Sequence, residues 1–185
     1  VVVGRFVGKE ALAAVGGSSG QIINLVVGFF VGLSSGASVI ISQFYGAKDT
    51  VNLNRTLHTA VAFSVAGSIF VTILGIALAE PLLAAMNTPR ELMRESSLYL
   101  KIYFGGILFV FIYNIGSAAL RAVGNSMSPL YYLVVCCILN VVLDCVLIVV
   151  FHMGVAGAAI ATVFSQAVSA VLVLLRLARS DDPCY

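Results

Sequence analysis

Apolar positions in this chain come in long unbroken blocks, not in the alternating or three-to-four spacing of a half-exposed strand or helix. No Asp, Glu, Lys or Arg occurs from Ala11 to Ala47, Thr56 to Ala79, Ile102 to Leu120, Ala122 to Leu143, or Cys145 to Leu175. A bilayer-spanning helix needs ~20 predominantly apolar residues. Each window holds at least one such stretch, so the pattern predicts five full spans, over 21–44, 53–79, 96–121, 129–151 and 155–176. Residues 1–16 read as the end of an earlier helix, and 180–185 as a polar tail.

The breaks between blocks carry turn chemistry. GGSSG at 16–20 suits a loop, and Glu80-Pro81 is expected to stop the second span. LLAAMNTPRELMRESS reads as a short interfacial helix and a loop. Before the fourth span, Ser126 or Ser128 can cap and Pro129 falls at a favourable first-turn position. Gly28, Gly32 and Gly36 recur every four residues in the first span, a stripe expected to admit another helix backbone at close range.

Composition sharpens this to an all-α integral membrane protein. Of 185 residues, 61% are hydrophobic and 10% charged, with a mean hydropathy of +1.08; soluble domains carry about 25% charge. The net charge of +2 comes without a basic stripe, which excludes a nucleic-acid partner. Lys and Arg divide five against five between the two ends of the spans, so charge bias assigns no orientation. Cys136, Cys137 and Cys145 sit in one apolar helix and read as small buried hydrophobes, and no Cys/His metal spacing or cofactor motif occurs.

Against that background Asp144 stands out as the only charged residue between Arg121 and Arg176. A carboxylate at the centre of a bilayer helix costs roughly 2.5–3.5 kcal/mol on insertion scales, so it is expected to face protein or a watery cavity. Asn140 lies one turn earlier on the same face. The two offer hard oxygens for a sodium ion, or a protonatable group with a hydrogen-bond partner. Burial disfavours the charged acid and a nearby cation favours it, and a coupled carrier needs that competition. Asn114 falls near the middle of the third span, and Thr162, Ser165 and Gln166 form a polar strip on the fifth. An interhelical hydrogen bond accounts for Asn114 equally well, and bonds back to their own helix are the favoured reading for the residues of the fifth span. No nucleophile–base pair or phosphate-binding loop is present, so the chain does not read as an enzyme.

The segments VGRFVGKEALAAVG, GLSSGASVIISQFYGAKD, ALRAVGNSMSPLYY and LNVVLDCVLIVVFHMGVAGAAIATVFSQ together resemble the multidrug and toxic compound extrusion (MATE) transporters. The resemblance implies a twelve-helix, two-lobe carrier of the cell membrane that exports amphiphilic or cationic small molecules against sodium or protons, without a cofactor. It makes this chain a fragment, the amino-terminal six-helix lobe lacking its carboxy-terminal partner. It places Asn140 and Asp144 on a polar helix 5 pair, with Asn114, Thr162 and Tyr99 joining the same cation site. Read from a span beginning at residue 96, however, Tyr99 lies far from the midplane. The family's acidic residue on helix 1 would fall before Val1. A lone lobe cannot form the central cleft or rock against its partner. Two other readings are a lipid-linked oligosaccharide flippase, disfavoured by the absence of mid-span Lys or Arg, and a non-transporting membrane scaffold.

Overall fold

A computed structural model of the protein describes residues 8–179. Residues 1–7 of the expected first helix end and the tail 180–185 lie outside the described residues. Among the described residues the chain is a helical bundle: α1 Lys9–Gly16, α2 Ser18–Gly46, α3 Thr50–Ala85, α4 Arg90–Gly105, α5 Ile107–Ala122, α6 Met127–Asp144, a π-helical segment Cys145–Val150, and α7 Gly154–Ala178. Four helices are long and apolar enough to cross a membrane, and five spans result when α4 and α5 are taken as one bent helix. Bent α4–α5 forms the centre. It packs on α2, α3 and α7, while α6 leans chiefly on α7 and α1 rests against α4.

The boundaries differ from the sequence expectation at four places, each for a physical reason. First, α3 runs through Pro81 instead of stopping at Glu80. Proline removes one backbone donor, a loss that membrane helices tolerate where neighbours support the freed groups. Here Glu80 is tied to the next helix, its Oε1 accepting from Lys101 Nζ at 2.7 Å and from Ser97 Oγ at 3.4 Å. Second, RELMRESS is the start of α4 itself, not an interfacial helix.

Third, the span expected over 96–121 is broken by a 49° bend between α4 and α5. Gly106 N–H donates to Ile102 O and Tyr103 O, and a Cβ there would collide with Val163 of α7. Only glycine lets the bent backbone lie that close. Fourth, GGSSG is almost entirely helical, with Gly17 alone standing between α1 and α2. Ser19 Oγ donates to Ser96 O at 3.5 Å and Ser96 Oγ donates to Ala14 O at 3.4 Å, so these serines stitch the junction to α4.

Smaller adjustments follow the same logic. Ser126 occupies the cap position of α6 without a side-chain bond; the capping oxygen is Asn125 Oδ1, which accepts from Ser128 N at 3.1 Å. Cys136 is buried, but Cys137 and Cys145 point outward, and all three are free.

The glycine stripe is the largest correction. A Cβ added at Gly28, Gly32 or Gly36 would meet nothing within 4 Å, so no helix among the described residues packs there. The glycines that admit the closest side-chain neighbours are Gly75 against Phe104, Gly106 against Val163, and Gly116 against Val173. Four-residue spacing defines a face; it does not say whether anything covers it. The core proper centres on Phe104, Ile107 and Phe111, with Phe30 stacked on Phe111 at a 3.5 Å centroid distance.

Candidate polar site between three helices

Asn140 and Asp144 lie on the face of α6 turned toward α7, and both are half-buried. Asn140 Nδ2 donates to Thr162 Oγ1 at 3.3 Å, and Thr162 Oγ1 in turn donates to Ala158 O of its own helix at 2.9 Å. Thr162 therefore does both things a membrane threonine can do. It satisfies its hydrogen on its own helix and offers its lone pair across the seam.

Tyr99 enters from α4. Its side chain is buried, 8% exposed, and lies near the side chains of Thr162 and Asp144. The depth expected for Tyr99 assumed a span that begins at residue 96. Because α4 begins at Arg90, Tyr99 sits about two and a half turns inside the helix, not at its edge. Tyr103, one turn on, stacks near Tyr99 with ring centroids 6.3 Å apart and is buried as well. Sequence reasoning passed over Tyr103; its spacing of four from Tyr99 was the available signal.

The structure thus brings Tyr99, Asn140, Asp144 and Thr162 together from three helices. It does not bring Asn114 to them through any hydrogen bond: Asn114 Nδ2 donates to Val110 O of its own helix at 2.8 Å. The neighbouring Tyr113 hydroxyl donates to Pro129 O at 3.1 Å, fastening α5 to the start of α6. Ser165 also bonds back within α7, to Ala161 O and Thr162 O.

Two features of Asp144 set it apart. Its Oδ1 is buried and has no hydrogen-bond partner among the described residues. Leaving such an acceptor unsatisfied costs about 1–3 kcal/mol, and more for a charged group. The acid also ends the regular α-helix, because Cys145–Val150 continue in π geometry, with Phe151 N bonded to Val146 O at 3.1 Å. π-Turns are frequent at functional positions. The run VLIVV, rich in β-branched residues, was the only hint of it in the sequence. Among the described residues no salt bridge joins a Lys or Arg to Asp144. No group of three or more His, Cys, Asp or Glu that could hold a metal occurs among the described residues. The oxygens that converge here, one carboxylate, one carboxamide and two hydroxyls, suit a proton or a hard monovalent cation.

The family model described as MatE matches residues 1–146. The chain is 37% identical over 167 residues to the probable multidrug resistance protein YpnP of Bacillus subtilis (strain 168), an alignment covering 90% of this chain and 37% of that protein. It is 31% identical over 187 residues to the probable multidrug resistance protein YoeA of the same organism, covering 99% of this chain and 40% of the relative. Among solved structures, an inward-facing conformation of a multidrug resistance MATE family transporter of the MOP superfamily superposes with a TM-score of 0.92 at 25% identity. That match covers 98% of this chain and 41% of the other. The chain spans about two-fifths of the length of the relatives it matches.

Proposed function

The chain belongs to the MatE family, whose members are multi-pass membrane transporters, and on that premise we propose that it forms one six-helix lobe of a secondary active multidrug exporter. In this reading the lobe is the amino-terminal one, 1–179, completed by a carboxy-terminal lobe of the kind the longer relatives have room for. The complete carrier exports amphiphilic or cationic small molecules from the cell membrane in exchange for sodium or protons. Asp144 is the coupling acid.

One observation supports this above all others: a buried carboxylate oxygen of Asp144, with no hydrogen-bond partner among the described residues, stands beside Tyr99, Asn140 and Thr162. A proton or a sodium ion supplies what that oxygen lacks. Asn140 and Thr162 hold the site in register, and Tyr99 closes it from α4. An ion bound here stabilises whichever helix arrangement gathers these oxygens most closely, and its release frees the alternative. The ion shifts the equilibrium only by the difference in its affinity for the two arrangements. Asn114 contributes from α5 in that second arrangement, since here its carboxamide is turned to its own helix.

The test begins with binding, which needs no second lobe. Purified protein is titrated with sodium, and separately with acid, while tyrosine fluorescence is followed. The wild type should respond to one of the two, and Asp144→Asn should respond to neither. In a carrier that contains this lobe, Asp144→Asn should abolish gradient-driven efflux while insertion remains normal; undiminished efflux rejects Asp144 as the coupling group.

A further inference from the structure

The seam between α2 and α3 is open along most of its length. A cavity of about 700 Å³ is lined by Gly32, Leu33, Gly36 and Phe63, with Asn52 and Arg55 at its polar end. It shares Leu33 and Phe63 with a second cavity of about 510 Å³, which in turn shares Leu25, Val26 and Val71 with a third of about 390 Å³. The three form one continuous groove. Its floor is low because Gly32 and Gly36 present no side chain, and Phe29, Phe63 and Phe70 stand outward as its walls.

Only one end of this groove is charged. Thr56 and Thr59 there bond back to Asn52 O and Arg55 O, and Asn52 bonds to Asp49. Arg55 is exposed, and its guanidinium has no hydrogen-bond or ion-pair partner among the described residues. Lys48 follows in an adjoining cavity that meets the first at Phe44. Asp49, in the same adjoining cavity, caps α3 and turns its carboxylate oxygens to Asn52. A guanidinium presents a planar fork of donors that matches phosphate oxygens.

We propose that this groove seats one anionic phospholipid, its phosphate on Arg55 and Lys48 and an acyl chain laid over Gly36, Gly32 and Leu33. The length agrees. From Arg55 past Phe63 to Phe70 is fifteen residues of helix, about 22 Å at 1.5 Å per residue. That covers the headgroup level and one leaflet of a hydrocarbon core ~30 Å thick. The third cavity then lies in the opposite leaflet. The proposal uses none of the residues to which the transport reading gives a role.

The experiment is native mass spectrometry of the purified protein released from micelles holding equal amounts of phosphatidylglycerol and phosphatidylethanolamine. The wild type should retain one phospholipid with phosphatidylglycerol in clear excess. Arg55→Gln should lower that preference about fivefold, the equivalent of ~1 kcal/mol for one basic residue at an anionic surface. Arg94→Gln, which removes the same charge at the other end of the bundle, should leave it unchanged. Gly36→Leu should reduce retention of both lipids, since the added side chain fills the groove without meeting protein. Equal retention of the two lipids by the wild type overturns the proposal, as does an equal effect of the two arginine changes. Retention unaffected by Gly36→Leu, or a protein adduct in the groove with no lipid, overturns it too.

Discussion

The α6–α7 seam and the α2–α3 seam begin alike and end as opposites. Each joins two helices consecutive in sequence through a short turn, and each carries an ionic residue of interest, Asp144 in the first and Arg55 in the second. The first is closed: Asn140 bonds to Thr162, Ser169 Oγ donates to Tyr132 O at 3.2 Å, and Gly157 sits against Leu147. The second touches where Gly67 meets Phe30 and gapes on either side of that point. In the closed seam the carboxylate lies among uncharged polar side chains, with one oxygen that has no hydrogen-bond partner among the described residues. In the open seam the ionic group is exposed, and under the lipid proposal its partner comes from the membrane.

The largest expected effect separates the two ionic residues. Asp144→Asn should cost a carrier built on this lobe at least about tenfold in coupled efflux, a change of ~1.4 kcal/mol or more, whereas Arg55→Gln should leave coupling intact and change only lipid retention. Flux assays in proteoliposomes of fixed composition check both. An efflux loss with Arg55→Gln equal to that of Asp144→Asn would erase the distinction between the seams.

Next come the glycines. Gly106→Val and Gly116→Leu overpack covered helix faces and should destabilise the protein by about 1–3 kcal/mol or more. Gly36→Ala on the open face should instead stabilise it by up to ~1 kcal/mol, because alanine fits helical backbone without strain and restricts the unfolded chain. Thermal unfolding in detergent measures the contrast, and the two signs are the point of the comparison. A third, smaller effect tests how tightly the closed seam is knit. Thr162→Val removes the acceptor for Asn140 and should cost ~0.6 kcal/mol, the average for an interhelical hydrogen bond in a membrane protein.

The smallest effect belongs to the turn of the open seam. The Asp49 carboxylate is held below the ordinary aspartate range by bonds from Asn52 N at 3.1 Å and Asn52 Nδ2 at 2.7 Å. A depressed folded-state value means the cap's contribution is present above the ordinary range and is lost as pH falls through the depressed value. The stability gap between wild type and Asp49→Ala should therefore shrink in strong acid. A gap independent of pH would show that the cap works without its charge.

Much of the fold was legible before any coordinates. Five charge-free windows can only be spans, since each is long enough to cross a bilayer and no charge interrupts it. Asp144 had to face protein for the same reason, and Asn140 had to share its face by helical spacing. Tyr99 was misplaced because its depth depends on where α4 begins, and the polar start RELMRES hid that. The 49° bend was equally hidden, because Gly105 and Gly106 are both glycines and only the approach of Val163 explains the kink.

The division follows from the range of the forces. Whether a segment enters the membrane is settled by its own composition against the bilayer, residue by residue, and that is written along the chain. Which face of a helix is covered is settled by neighbours distant in sequence. Gly116 is enclosed by Val173, while Gly36, equally small and equally helical, lies bare. No local pattern distinguishes them; only the packing of one helix on another does.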